Sequence, residues 1–247
     1  MTLDATHACV VDLDGVVWLS GAPLPGATDG VGELRRRGIP VLFCTNNASP
    51  TISQLRERLA AMGIEATPRE IATSAESAAS LLAPGQRAFV VGADGLGEAL
   101  DAAGVERTED AVDVVVVGLT DRFDYEMCDR AAAHVRDGAR FLATNTDATL
   151  PTPRGLRPGA GALVAAIATA AGRQPEVAGK PEAPMCRLVL ERTAVGAVVG
   201  DRATTDGRFA AALGVPFAHV ASAVSEGAAS AAVRATSLLE AVLALCA

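Results

Sequence analysis

Along this chain, short uninterrupted apolar runs alternate with longer stretches in which apolar residues return every three or four positions. The segment HACVVDL is followed by helical spacing over ATDGVGELRRRG, and PVLFCTNN by helical spacing over TISQLRERLAAMG. Runs apolar at every position suit strands buried on both faces, and strands separated by amphipathic helices build parallel βαβ units. The middle repeats the rhythm, with strands in AFVVG, DVVVVGL and FLATN and helices over GLGEALDAAG and YEMCDRAAAHVRDG. Tyr125 opens the second of these helices, a position expected to pack. After Gly179 the first rhythm resumes: a helix over APMCRLVLERT, strand AVGAVVG, a helix over ATTDGRFAAALG, strand VPFAHV and a final helix ending Leu239–Cys246. Gly38, Gly63 and Gly214 follow helical patterns where left-handed C-caps are wanted. The pattern predicts an α/β protein whose parallel-sheet core is interrupted by an inserted unit of roughly a hundred residues, within the usual range for a domain.

Composition narrows the partners. Of 247 residues half are hydrophobic but only 3% aromatic, so the core is built largely of Ala, Val and Leu. The formal net charge is -8 and the arginines are scattered over helical stretches, which excludes a nucleic-acid surface and leaves any bound phosphate to a local device. The five cysteines include no CxxC, and Cys9 and Cys44 lie inside apolar runs, so they read as reduced thiols rather than a metal cluster. The beginning lacks a basic segment followed by a long apolar one, and the most apolar helical stretch, Ala160 to Ala171, is shorter than the about 20 residues a bilayer requires. No membrane association and a cytoplasmic location are expected.

Chemistry gathers at strand ends, where ligands collect in open α/β sheets. The first strand ends in Asp12-Leu13-Asp14-Gly15; two carboxylates two residues apart share one side of an extended segment, and Gly15 lets the chain turn after them. The second ends in Thr45-Asn46-Asn47, whose hydroxyl and backbone amides suit phosphate oxygens. Lys180 stands in a turn between Gly179 and Pro181. Gly200-Asp201-Arg202 and Thr205-Asp206 follow a later apolar strand. Singly, each has a plain explanation as turn, cap or solvated charge. Jointly, in this order, they point to one site.

Here the sequence resembles the haloacid dehalogenase superfamily, and within it the NagD-like and para-nitrophenyl-phosphatase-like subclass IIA. The likeness covers nearly the whole chain, including FCTNNAS, ATNTDATLPTPRGLRPGAGALVAAI and VAGKP. It implies a Rossmann-like core over residues 1–83 and 177–247, with a C2-type α/β cap domain over 84–176. It implies a phosphatase using Mg2+ and an aspartyl-phosphate intermediate: Asp12 as nucleophile, Asp14 as general acid and base, Thr45, Asn46, Asn47 and Lys180 around the phosphoryl group. Asp12, Asp201 and the carbonyl of Asp14 would ligate the metal, with Asp206 supporting them from behind. The expected partner is a small phosphate ester: a sugar phosphate, glycerol phosphate, phosphoglycolate or nucleoside monophosphate. Transfer to a second substrate, or binding without catalysis, are the alternatives, and a homodimer through the cap is allowed.

In the inserted unit Asn145, Asp147 and Arg154 are within a polar segment that suits either substrate contact or turn formation. Trp18 suits the core or the site entrance. His7, His134 and His219 receive no role. Two departures from the family pattern stand out: Gly207 where a bulky aliphatic is common, and Ser222-Ala223-Val224 where a Thr-Gly-Val-like turn is usual.

Overall fold

The computed structural model describes residues 3–152, 154–221 and 231–247; the Ser222-Ala223-Val224 departure lies outside them. The chain opens with β1 (Ala8–Val11), a small hairpin of β2 (Trp18–Leu19) and β3 (Ala22–Pro23), α1 (Ala27–Arg36), β4 (Val41–Thr45), α2 (Ile52–Ala61), β5 (Ile71–Thr73) and α3 (Ser74–Ala79). It then builds a second unit from β6 (Arg87–Val91), α4 (Asp94–Ala102), β7 (Glu106–Arg107), β8 (Val114–Val117), α5 (Tyr125–Arg136) and β9 (Arg140–Ala143). That unit continues through β10 (Thr149–Thr152), β11 (Gly155–Pro158), α6 (Ala160–Ala171) and β12 (Glu176–Val177). The return comprises α7 (Ala183–Arg192), β13 (Val195–Gly200), α8 (Arg208–Leu213), β14 (Phe217–Val220), β15 (Val233–Ala235) and α9 (Leu238–Leu245).

Two parallel sheets result. The first has the order β15-β14-β13-β1-β4-β5 and the second β12-β9-β8-β6-β7. Both are buried on two faces, which explains the runs of apolar residues. Cys9, Val11, Phe43 and Val199 face one core with α1, α2 and α9, whereas Val10, Leu42 and Val198 face another with α7 and α8. In the second sheet Val114 and Val116 pack toward α3 and α4, and Val115 and Val117 toward α5 and α6. Each fully buried Val or Leu contributes about 1.5–3 kcal/mol, so the alternation fixes the register strongly. Because α3 shares a core with the second sheet, the two units are packed together through apolar contact as well as joined by chain. Among the described residues, no helix is long and apolar enough to cross a membrane.

The register aims the strand ends at one place. Val11 lies beside Phe43 on one flank and Val199 on the other, so Asp12, Thr45 and Asp201 all leave the sheet at the same edge.

Two expectations need correction. Tyr125 does not pack; it is 86% exposed, because the buried stripe of α5 begins further along, at Ala131, Ala132 and Val135. The segment ATTDGRFAAALG is not one α-helix: Ala203–Gly207 forms a π-helical turn before α8. Such wide turns commonly mark functional sites, and this one turns Asp206 inward. The Gly207 departure has a packing cause, since a Cβ there would sit 3.3 Å from the Phe217 ring.

Candidate active site

Asp12 is the residue after β1, its N–H bonded to Val199 O at 2.9 Å, and its carboxylate is almost wholly buried. The chain then turns tightly, with Val17 N and Trp18 N both donating to Leu13 O. Gly15 has φ +93°, and any Cβ there would overlap the Asp201 carboxylate, so the turn needs glycine for both conformation and space. Asp14 therefore reaches the cleft from this turn rather than from an extended strand. Its Oδ1 accepts from Trp18 Nε1 at 3.0 Å. Trp18 is at once a core residue and the group that orients Asp14, a role the sequence did not single out.

Lys180 comes from the loop that returns to the first sheet. Its Nζ donates to Asp12 Oδ1 at 2.6 Å, Asp206 Oδ1 at 2.7 Å and Cys44 O at 2.8 Å, which uses all three of its donors. Burial by itself would lower the Lys180 pKa, but Asp12 and Asp206 outweigh it and hold the ammonium well above its ordinary value. The opposite tendency acts on Asp12: burial pushes its carboxyl well up, with Asp206 and Asp201 adding to the push while Lys180 opposes it. The geometry favours a charged lysine, since its ammonium lies between two carboxylates. Burial also raises the Asp14 carboxyl, against the pull of the Trp18 hydrogen bond. The Cys44 thiol, buried beside this cluster, is pushed up to about 12 and is no nucleophile.

Asp12, Asp201 and Asp206 each place a carboxylate oxygen within 4.8 Å of the others, all three residues being buried. This excess of buried negative charge, offering oxygen donors alone, fits a hard divalent cation such as Mg2+. Asp206 is fixed on both oxygens, Oδ1 by Lys180 and Oδ2 by Arg202 N at 3.2 Å. His219, which has no role on sequence grounds, is buried with Nε2 3.1 Å from Asp201 O. As a carbonyl only accepts, Nε2 carries the proton of this bond. His7 and His134 are elsewhere, beside Asp4 and Phe89.

Thr45 ends β4 with its hydroxyl accepting from Asn47 N at 3.0 Å. The Asn46 side chain is spent on architecture. Its Oδ1 accepts from Lys180 N at 2.7 Å, and its Nδ2 donates to Lys180 O at 3.0 Å and to Asp147 Oδ2 at 3.2 Å. A single cleft is lined by Asp12, Asp14, Thr45, Asn46, Asn47, Lys180, Asp201 and Asp206 from the first unit. Asn145 and Asp147 join them from the second; Arg154 does not line the cleft.

The sequence profile of the haloacid dehalogenase-like hydrolase family matches residues 9–106, and a HAD-hydrolase-like profile matches residues 177–245. The D-glycerol 3-phosphate phosphatase of Mycobacterium tuberculosis is 41% identical over 229 residues, 89% of this chain, which spans 64% of that relative's length. A solved glycerol phosphate phosphatase from the same organism, in complex with magnesium, superposes with TM-score 0.83 at 37% identity, covering 92% of this chain and 71% of that one. Acid sugar phosphatase of Staphylococcus aureus is 36% identical, with 88% of this chain and 87% of the relative covered. NagD from E. coli K-12 has TM-score 0.86 and 31% identity over 97% of this chain and 98% of its own.

Proposed function

The chain belongs to the haloacid dehalogenase-like hydrolase family, and from that premise we propose that it is a Mg2+-dependent phosphatase that hydrolyses a small phosphorylated metabolite through phosphorylation of Asp12. The observation that carries this reading is the convergence of Asp12, Asp201 and Asp206 with Lys180 2.6 Å from Asp12, beside Asp14, in one cleft. The relatives named as phosphatases of glycerol 3-phosphate and of sugar phosphates support the substrate class. The unit on the second sheet serves as the cap, excluding water and contacting the leaving group.

In this reading an Asp12 carboxylate oxygen attacks phosphorus while the ester P–O bond breaks. Asp14 gives its proton to the departing oxygen, then withdraws one from the water that attacks the aspartyl-phosphate and frees inorganic phosphate. Asp14 suits both steps because burial raises its carboxyl toward neutrality and Trp18 fixes its direction. The Thr45 hydroxyl, which accepts from Asn47 N and so has its proton to give, donates to a phosphoryl oxygen, while Lys180, held on Asp12, neutralises the charge that gathers there. Asp12, Asp201 and the Asp14 carbonyl would hold Mg2+, with Asp206 steadying both Lys180 and the Asp201 loop. When bound, the ion neutralises the repulsion between a carboxylate and a phosphate dianion.

Metal dependence tests the reading. Excess EDTA should silence turnover of para-nitrophenyl phosphate, and added Mg2+ should restore it. Mg2+ at about a hundred times its Kd should also stabilise the fold by about 2.7 kcal/mol, read as a higher Tm. Full activity in EDTA with an unchanged Tm would contradict it. Asp14→Asn should slow turnover of every ester through the shared water attack, and in single-turnover measurements should slow release of the alcohol by about 10²–10⁴-fold on alkyl phosphates and much less on para-nitrophenyl phosphate, whose leaving group needs no proton. An equal slowing of that release on both would remove Asp14 from the acid role.

A further inference from the structure

The loop that carries Asp201 and Asp206 rests on β14. Ala218 and Val220 of that strand face the core with α1 and α9, so Phe217 and His219 point to the other side of the sheet, beneath the loop. Their rings meet edge to face, with centroids 6.1 Å apart and an interplanar angle of 75°. Phe217 supports the far end of the loop, where a Cβ on Gly207 would come 3.3 Å from the ring. His219 supports its near end. Pairing of β13 with β14 runs as far as Gly200 opposite His219, and the next carbonyl, Asp201 O, is met by the His219 Nε2–H at 3.1 Å. Both residues are buried, so water does not compete for this bond.

The peptide unit that joins Asp201 to Arg202 is thereby held at both ends. Its carbonyl accepts from His219 and its N–H donates to Asp206 Oδ2 at 3.2 Å, while Asp206 Oδ1 takes Lys180 Nζ at 2.7 Å. Fixing this plane fixes the Asp201 Cα from which the carboxylate projects, and a donor on the carbonyl polarises the N–H that reaches Asp206. Room for error is small: a Cβ on Gly15 would overlap the Asp201 carboxylate, and one on Gly200 would overlap Asp206. We propose that His219 is a positioning residue for the divalent-cation site, its imidazole holding the 201–202 peptide so that the Asp201 and Asp206 carboxylates converge with that of Asp12. This rests on the metal site of the phosphatase reading above. Hydrogen bonds that orient the ligands of a metal typically contribute about 10–100-fold to its affinity.

Calorimetric titration with Mg2+ alone, no ester present, tests this in the wild type, His219→Gln and His219→Leu. Glutamine places an amide N–H near the position of Nε2, whereas leucine fills the space without a donor. His219→Leu should bind Mg2+ about 10-fold or more weakly, and His219→Gln within about threefold of the wild type. The Mg2+ concentration that gives half-maximal turnover of para-nitrophenyl phosphate should rise in step with the Kd. A packing role alone would lower the Tm of His219→Leu and leave its Kd for Mg2+ unchanged; that result, or equal weakening in both variants, would overturn the inference. A second arm needs no variant and so stands even if His219→Leu fails to fold. The chain has three histidines. With histidine labelled by nitrogen-15, Mg2+ should shift the His219 Nε2 resonance with the calorimetric midpoint and leave those of His7 and His134 in place. A His219 signal indifferent to bound Mg2+ would overturn the inference. A wild type that binds no Mg2+ would defeat the phosphatase reading and this inference together, whereas one that binds Mg2+ but turns over no ester would defeat the phosphatase reading alone.

Discussion

Asp12→Asn is expected to reduce kcat by about 10⁴-fold or more on every phosphate ester, with the protein still folded. A neutral amide oxygen of the same size is a poor nucleophile toward phosphorus, and losing the group that forms the covalent intermediate removes the whole pathway rather than one contribution to it. Folding should survive because Lys180 keeps its bonds to Asp206 and to Cys44 O. The substitution also takes one negative charge from three crowded carboxylates. Steady-state kinetics and a melting curve on the same preparation check this. Activity within tenfold of wild type would assign the nucleophile elsewhere.

Lys180→Met should damage both catalysis and stability. The ammonium is the cation that touches Asp12 and Asp206 directly, at 2.6 and 2.7 Å. Removing a donor aimed at transition-state charge typically lowers kcat by about 10²–10³-fold. Removing one partner from a buried ion pair costs about 3–5 kcal/mol, because the remaining charges stay buried. The pH dependence has a definite sign. With Lys180 absent, burial and the neighbouring carboxylates raise the folded-state pKa of Asp12 still further above its unfolded value. A carboxyl raised on folding destabilises the native state above its folded pKa, and the deficit disappears as pH falls through that value. The Tm gap between variant and wild type, measured without Mg2+, should therefore narrow as the pH is lowered toward the ordinary carboxyl range. In the wild type, Lys180 has its pKa raised on folding, so its stabilisation is present below the unfolded lysine value and is lost only as pH rises through the folded one. The gap should accordingly persist through mildly alkaline pH. A gap that widened on acidification would contradict this charge assignment.

Much of this was legible in the sequence because strands buried on both faces leave continuous apolar runs, and the polar residues that end them stand out. Cys9–Val11, Val41–Cys44 and Val195–Val199 gave the central strands, and Asp12, Thr45 and Asp201 follow from their register. Short elements were illegible for the opposite reason: β2, β3 and β12 are two residues each, too short for a period. β5 is buried but only three residues long, and the solvent-facing β11 has no apolar alternation to read. The π-helical turn at Ala203–Gly207 carries a helical period and differs only in hydrogen-bond reach.

Within the site, the charged residues and Thr45-Asn46-Asn47 stand out in the sequence, but the bonds that hold the charged groups in place do not. Asn46 stands out through its place in TNN as a backbone donor, but the clasp of its side chain on the backbone of Lys180, far along the chain, leaves no mark in the sequence. Trp18 and His219 act through single bonds, to the Asp14 carboxylate and to Asp201 O, and neither spacing nor composition predicts such contacts. Tyr125 misled because an aromatic at the start of an amphipathic helix matches a packing pattern that the backbone carries away from the sheet.

The covalent step is tested most directly by rapid acid quenching of the wild type during turnover with Mg2+ and a phosphate ester, followed by borohydride reduction and peptide mass spectrometry. An acyl phosphate on Asp12 is reduced to homoserine at that position alone, and this is the predicted result. Homoserine at another aspartate, or phosphate retained on a serine, threonine or histidine, would contradict the account.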